Sequence, residues 1–453
     1  MIKESSSYLA AFRALQEKSA MGGTSWINRL RETAMDRFEQ SGFPTTRDEE
    51  WKYTNVASIA QTNFELSTAR DLRASIFTSD DLEPFVYEEA RRSQLVFVNG
   101  IFRAELSTLE ALPSSVIALS LIEALDDETQ ASVLRDHLAR LAVYDDNAFT
   151  ALNTAFIGNG ALLRIPKGVR VEAPLHLLFL SDPRETTAPP VSFPRVLIVA
   201  ERDSEATVVE SYASVADGAY LTNAVVEFVL EDGARVGHYK VQRESSEGFH
   251  VATTVAELGR HSNLDSTTIT LGAQLSRHDI RINLEAEAAE CVADGLYLVT
   301  TGQHTDTHSV IDHRKAHCTS HQLYKGILDG KSRAVFNGKI FVREDAQQTN
   351  AMQTNRNLLL SGDARVDTKP QLEIFADDVK CTHGATVGQL EEEELFYLLS
   401  RGLSPDLARN LLTYGFAEQV INKIKIASIK AQLDEAVLNR LHARFEPQTE
   451  VVK

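Results

Sequence analysis

The sequence predicts a mainly β protein, with a central run of short stacked strands and a helical region at each end. From about residue 165 to 380, short β-rich runs follow one another with almost no helical period: PRVLIVA, ATVVESYA, NAVVEFVL, STTITLG, LYLVT, AVFNGKIFV and QLEIFA. Polar turns such as ERDSEA, LEDGAR, EAEAAE and SGDARVD separate them. These recur at intervals of about 27–30 residues early and about 15–18 later, as whole and half rungs of a solenoid would. On both flanks the apolar spacing becomes helical. A short strand cannot bury its face alone, and stacked coils solve this by pairing each strand with the one above and below. A parallel β-helix is therefore the preferred reading. A sandwich built from a hairpin meander is the alternative, since it also gives regular short strands.

The N-terminal region, 1–160, reads as mostly helical. In TSWINRLRETAMDRFEQSGFP, Ile27, Leu30, Ala34 and Phe38 recur at helical spacing; Ser25 or Thr24 caps the start, and Gly42 then Pro44 mark the stop. Phe149, Leu152 and Phe156 share a face in DDNAFTALNTAF, and QLVFVNGIF reads as a strand pair around an Asn99-Gly100 turn. The β core is expected over 161–380 and a C-terminal helical region over 381–453. There, Glu391 to Glu394 suit a helix N-terminus, and Arg401-Gly402 ends that helix. Ser404-Pro405 caps and opens the next, which carries Leu407, Leu411, Phe416, Val420 and Ile424. A final helix runs through Ile429, Leu433, Val437 and Leu441.

Composition excludes several classes of partner. The formal net charge of −18 repels phosphate backbones and anionic lipid, so neither nucleic acid nor membrane is an expected partner. The three cysteines, Cys291, Cys318 and Cys381, are far apart and form no disulfide framework, which points to a reducing compartment. No CxxC occurs, which argues against a self-contained zinc ribbon or ferredoxin-like site. The N-terminal MIKESSSYLAAFRALQEKSA lacks the apolar segment of a signal peptide, and no apolar run approaches the ~18 residues of a membrane span. The cytoplasm is the expected location.

Two stretches could carry chemistry. HTDTHSVIDHRKAHCTSH gathers His304, His308, His313, His317, Cys318 and His321, all good ligand types for zinc or iron. In a strand, however, His304 and His308 share a face while His308 and His313 do not, so a solvated or hydrogen-bonded strand face is the preferred reading over cluster ligation or metal transfer. KCTHGATVG sets Cys381 and His383 two apart, so on an extended backbone both project to one side. Taken alone, Cys-x-His reads first as a structural thiol beside a satisfied histidine. No GxxxxGK[ST] phosphate loop, GxGxxG turn or GxSxG elbow is present, so the chain is not expected to bind ATP by itself. A carbohydrate-processing β-helix enzyme, with pairs such as Asp377-Asp378 as acid and base, is the rival from another class. The sparse aromatic content, 7%, counts against it.

Several segments resemble one family, in order along the chain. RDEEWKYTNV at 47–56, NAFTALNTAF at 147–156 and IPKGVRVEAPLHLLF at 165–179 are similar to the N-terminal part of the SufB/SufD iron–sulfur cluster assembly scaffolds and the start of their β core. CTSHQLYKGILDGKSRAVFNGKIFV and QTNRNLLLSGDARVDTKPQLEIFADDVKCTHGATVGQL resemble the later coils, and LFYLLSRGLSPDLARNLLTYGF the C-terminal helices. IGNG at 157–160 departs slightly from the family pattern. With no cysteine before Cys291, the chain resembles the SufD-type branch rather than the cysteine-richer SufB-type.

The resemblance implies a right-handed parallel β-helix flanked by helical domains, in a scaffold subunit that is not itself an enzyme. It implies a SufB-type paralogue against the late coils, a SufC-type ATPase on the C-terminal helices, and a sulfur-donor system acting through the complex. Cys381 and His383 match the family's KCxHGAT motif, which implies contact with a nascent, transient iron–sulfur cluster at the subunit interface. Reduced flavin is linked to such scaffolds, but no residue signature marks it here. A SufB-type paralogue or a homodimeric scaffold is the alternative within the family.

Overall fold

The computed structural model describes residues 5–19, 25–67, 77–184 and 186–442. Its centre is a parallel β-solenoid of about seven turns whose successive strands alternate between two sheets. The first sheet stacks Gly160–Ile165, Arg195–Ala200, Leu221–Leu230, Phe249–Leu258, Leu275–Leu284, His304–His313, Arg333–Val342 and Arg365–Ile374. The second stacks Leu175–Ser181, Glu205–Ser214, Arg235–Arg243, Asn263–Leu271, Glu290–Val299, Thr319–Leu328, Asn350–Leu359 and Lys380–Gly388. Pairing advances one coil at a time: Leu221 lies against Phe249, Phe249 against Leu275, Leu275 against His304, and His304 against Arg333. Parallel neighbours throughout these stacks rule out the hairpin meander.

Alternation along each strand decides the core. Ala252, Ala256 and Leu258 of the first sheet meet Val236, Leu264 and Cys291 of the second in one apolar cluster between the sheets. The turns that precede the second sheet's strands are stacked too. Asp203, Gly233, His261, Ala288, His317 and Gln348 all take positive φ there. The N–H of each donates to a carbonyl of the next coil, as His261 does to Glu287 and His317 to Gln347. The following residue is small and buried in every coil: Ser204, Ala234, Ser262, Ala289, Cys318 and Thr349.

The N-terminal region closes the solenoid's first edge. Gln94–Val98 pairs parallel with Leu175–Ser181, turns through Asn99 (φ 48°) and Gly100 (φ 80°), and returns as the antiparallel Ile101–Phe102. Ile117–Ser120 runs antiparallel to Gly160–Ile165. Both sheets thereby lose an open edge, the usual liability of a β stack. The helix Ser25–Ser41 packs Ala34, Met35 and Phe38 against Phe149 and Leu152 of Ala148–Ala155; Thr24 lies outside the described residues.

At the other end, Glu392–Ser400, Pro405–Ile421 and Ala427–His442 are helices. The Ser404 hydroxyl accepts the Leu407 N–H at 3.3 Å, and Gly402 turns with φ 92°. Ala417, Val420, Ile421, Ile429, Leu433 and Val437 lie on the outer face of the second sheet, against Tyr239, Val241, Leu271, Leu296 and Ile327. No described helix is long and apolar enough to cross a membrane.

Candidate functional site

Cys381 and His383 lie on Lys380–Gly388, the last strand of the second sheet. Cys381 pairs in register with Ala351 and His383 with Gln353, so one edge of the strand is bonded and the other is open. Cys381 packs half-buried against the central core, as Ala351 does. His383, two residues on, therefore shares the inward face but is exposed, because no further coil covers it. Burial pushes the Cys381 thiol above its ordinary value, partly offset by a hydrogen bond with the Ala351 backbone. Metal binding displaces a thiol proton, so this sulfur would release one on ligating iron. Among the described residues no group of three or more His, Cys, Asp or Glu side chains converges as a metal site. The pair thus offers two ligands of a set that another molecule would have to complete.

The same end of the solenoid carries exposed apolar side chains: Met352, Ile374, Phe375 and Val387. A second exposed apolar group lies on the C-terminal helices, where Phe396 is 71% and Leu411 49% exposed, with Tyr397 and Leu407 alongside. Leu395, Leu399, Leu412 and Phe416 are half-buried.

The dense histidine segment is dispersed by the fold. His313 points inward and bonds the Ser320 hydroxyl at 2.8 Å. His317 is a positive-φ corner residue, and Cys318 fills the small-residue corner that Ser262 and Ala289 fill in earlier coils. His321 faces Asp294 at 3.5 Å on the outer face of the second sheet. His304 and His308 do share a face, as strand alternation requires, but their partners come from the N-terminal segment. His304 bonds the Thr54 hydroxyl at 2.8 Å, and His308 lies 3.1 Å from both Glu50 and Asp306.

That segment forms a clasp which the spacing of residues could not disclose. Arg277, buried on the outer face of the first sheet, bonds Asp306 at 2.6 Å, Asp279 at 2.7 Å and the Glu50 carbonyl at 2.7 Å. Its guanidinium lies 4.2 Å from the centre of the Trp51 ring. Burial alone would lower the His308 pKa, but hydrogen bonds to Asp306 and Glu50 more than offset this and raise it to about 9. The available signal was parity: Arg277 and Asp279 alternate with inward residues, and acids and bases that alternate on one strand face share a side.

Two family descriptions match, and between them they span nearly the whole chain. The SufBD protein N-terminal region matches residues 2–177, which include the clasp segment. The SufBD core domain of SUF system FeS cluster assembly matches residues 183–416, which include Cys381 and His383. The chain belongs to the SufBD family. Among its SufBD relatives, the iron–sulfur cluster assembly SufBD family protein slr0076 of Synechocystis is 37% identical over 440 residues, 94% of each chain. The iron–sulfur cluster assembly protein SufD of Escherichia coli is 30% identical over 405 residues, 89% of this chain and 90% of its own. SufD of Bacillus subtilis is 29% identical over 438 residues, 94% and 95%. The chain is thus an iron–sulfur cluster assembly protein of the SufBD family with SufD homologues. In this SufBD chain the RDEEWKYTNV signature is the clasp itself, and the KCTHGAT motif is the solenoid's last strand.

Proposed function

We propose that this chain is the SufD-type, non-ATPase subunit of a cytoplasmic SUF scaffold. In this reading it pairs with a SufB-type chain through the open end of the solenoid and binds a SufC-type ATPase through its C-terminal helices. Sulfur reaches it through the complex from a donor system. Region 1–160 clasps the stack, 161–380 builds it, and 381–453 carries the site strand and then the docking helices.

The observation that carries the reading is the position of Cys381 and His383: a thiol and an imidazole, side by side, on an edge strand left open at a patch of exposed apolar residues. The nascent cluster is cargo here, and its ligands must also let it leave. Thiolates from the paralogue joined by a neutral imidazole from His383 would hold the cluster with less negative charge than four thiolates, easing its transfer.

His383→Ala tests this directly. The expected variant assembles with both partners and hydrolyses ATP, yet loses cluster formation. A His383→Ala complex that builds clusters at the wild-type level would end the site assignment.

A further inference from the structure

We propose that Gln353 is the positioning residue for His383, its side-chain carbonyl accepting one imidazole N–H so that the other ring nitrogen faces the cluster. This rests on the reading of His383 as a ligand.

Gln353 is the residue directly under His383 in the parallel register, one coil earlier on the same inward face. Paired strands run about 4.8 Å apart, so equivalent side chains stand within hydrogen-bonding reach after small rotations. His383 is exposed, whereas Gln353 is only 1% exposed.

A ladder below orients the Gln353 amide. Its nitrogen donates to Gln322 Oε1 at 2.8 Å, and Gln322 Nε2 donates to Ser309 Oγ at 2.9 Å. With the nitrogen committed toward the preceding coil, the oxygen is left as a buried acceptor. It has no hydrogen-bond partner among the described residues. An orphaned buried acceptor costs on the order of 1–3 kcal/mol, so this oxygen gains by a donor, which the His383 ring on the next strand can supply. The space around the amide is also kept open: a Cβ at Gly338 would stand 2.5 Å from the Gln353 nitrogen.

A metal-bound histidine commonly donates its second N–H to a carbonyl or carboxylate, which fixes ring orientation and tautomer. Here the ring is offered one such acceptor, from a residue held rigidly by the rungs behind it. The N–H stays on the nitrogen facing Gln353, and the lone pair of the other nitrogen is free for iron.

The test uses the full-length chain labelled with ¹⁵N-histidine, the His383 signals being assigned by difference from His383→Ala. Wild type is expected to show His383 in one dominant neutral tautomer, and Gln353→Leu a solvent-like mixture. A purely structural role for Gln353 would not move the tautomer. In the reconstituted complex, Gln353→Leu is expected to slow cluster formation roughly 10- to 100-fold.

Should Gln353→Leu fail to fold, wild type alone decides: a solvated-histidine tautomer ratio at His383 overturns the proposal. An unresponsive tautomer with a dead His383→Ala complex sinks the positioning role and keeps the ligand reading. A responsive tautomer with a fully active His383→Ala complex sinks the ligand reading, and the positioning role of Gln353 in cluster assembly with it.

Discussion

The Arg277 guanidinium lies 4.2 Å from the Trp51 ring centre and bonds the Glu50 carbonyl at 2.7 Å, so one buried cation ties residues distant in sequence. Asp306 and Asp279 both depend on it for charge compensation. Removing Arg277 leaves the buried Asp306 carboxylate with His308 and the Thr54 hydroxyl as its remaining partners. Arg277→Ala is expected to cost about 3–5 kcal/mol in urea unfolding, and Trp51→Ala a similar amount by cavity formation. Limited proteolysis should then cut first in the N-terminal region. A loss below about 1 kcal/mol in either variant would show the clasp to be incidental.

The clasp should also respond to pH through His308. Its folded pKa is raised to about 9, against an unfolded value of about 6.5. The stabilisation is therefore complete below about pH 6.5 and is lost as pH rises through about 9, amounting to on the order of 3 kcal/mol. Urea midpoints should fall across that window in wild type. In His308→Gln, which cannot titrate, that part of the slope should disappear; an unchanged slope would contradict the assignment.

The exposed apolar group on the C-terminal helices predicts a docking surface of about 1,200–2,000 Å² in total. Deleting 391–453 is a poor test, because Ala417, Ile421, Ile429 and Leu433 also cover the second sheet. Phe396→Asp with Leu411→Asp leaves that cover intact, since both residues are exposed. Capture of the ATPase should weaken by roughly 30-fold or more, the effect of losing about 2 kcal/mol at an interface hot spot, with the melting curve preserved. Unchanged capture would move the docking site elsewhere.

The corner geometry marks Cys318 as a structural thiol. Cys318→Ser places in this coil the residue that Ser262 already supplies two coils earlier, and His317→Asn puts a positive-φ-tolerant residue at the corner. Each should change stability by less than about 1 kcal/mol and leave cluster formation intact. Cys381→Ser should lower cluster formation, yet less than His383→Ala, because a partner thiolate can carry the main sulfur contact. Cluster formation abolished by Cys318→Ser would give the histidine-rich segment a functional role.

How much of this was legible depends on the range of the interaction. The Asn99-Gly100 hairpin, the Ser404 cap, the Gly402 stop and the coil turns follow from local backbone preferences, and local order along the chain displays those directly. Cys381 and His383 sharing a face is likewise a consequence of two-residue alternation. The histidines of 304–321 are hydrogen-bonded members of separate faces, because closeness in sequence is not closeness in a solenoid: His313 faces the interior, His308 the exterior, and His317 a corner.

By itself the sequence determined a stack of short strands with helical ends, since alternation, corner residues and caps act over a few residues each. It also placed Cys381 and His383 on one face of a strand, through their two-residue spacing. Only the tertiary structure decided that the strands stack in parallel, that residues 94–98 and 117–120 close the first edge, and that Lys380–Gly388 is left open at the other. Register between coils joins residues about 30 positions apart, and the clasp joins Glu50 to His308. Such pairings are selected by the summed burial and hydrogen bonding of the whole stack, which no local window of sequence contains.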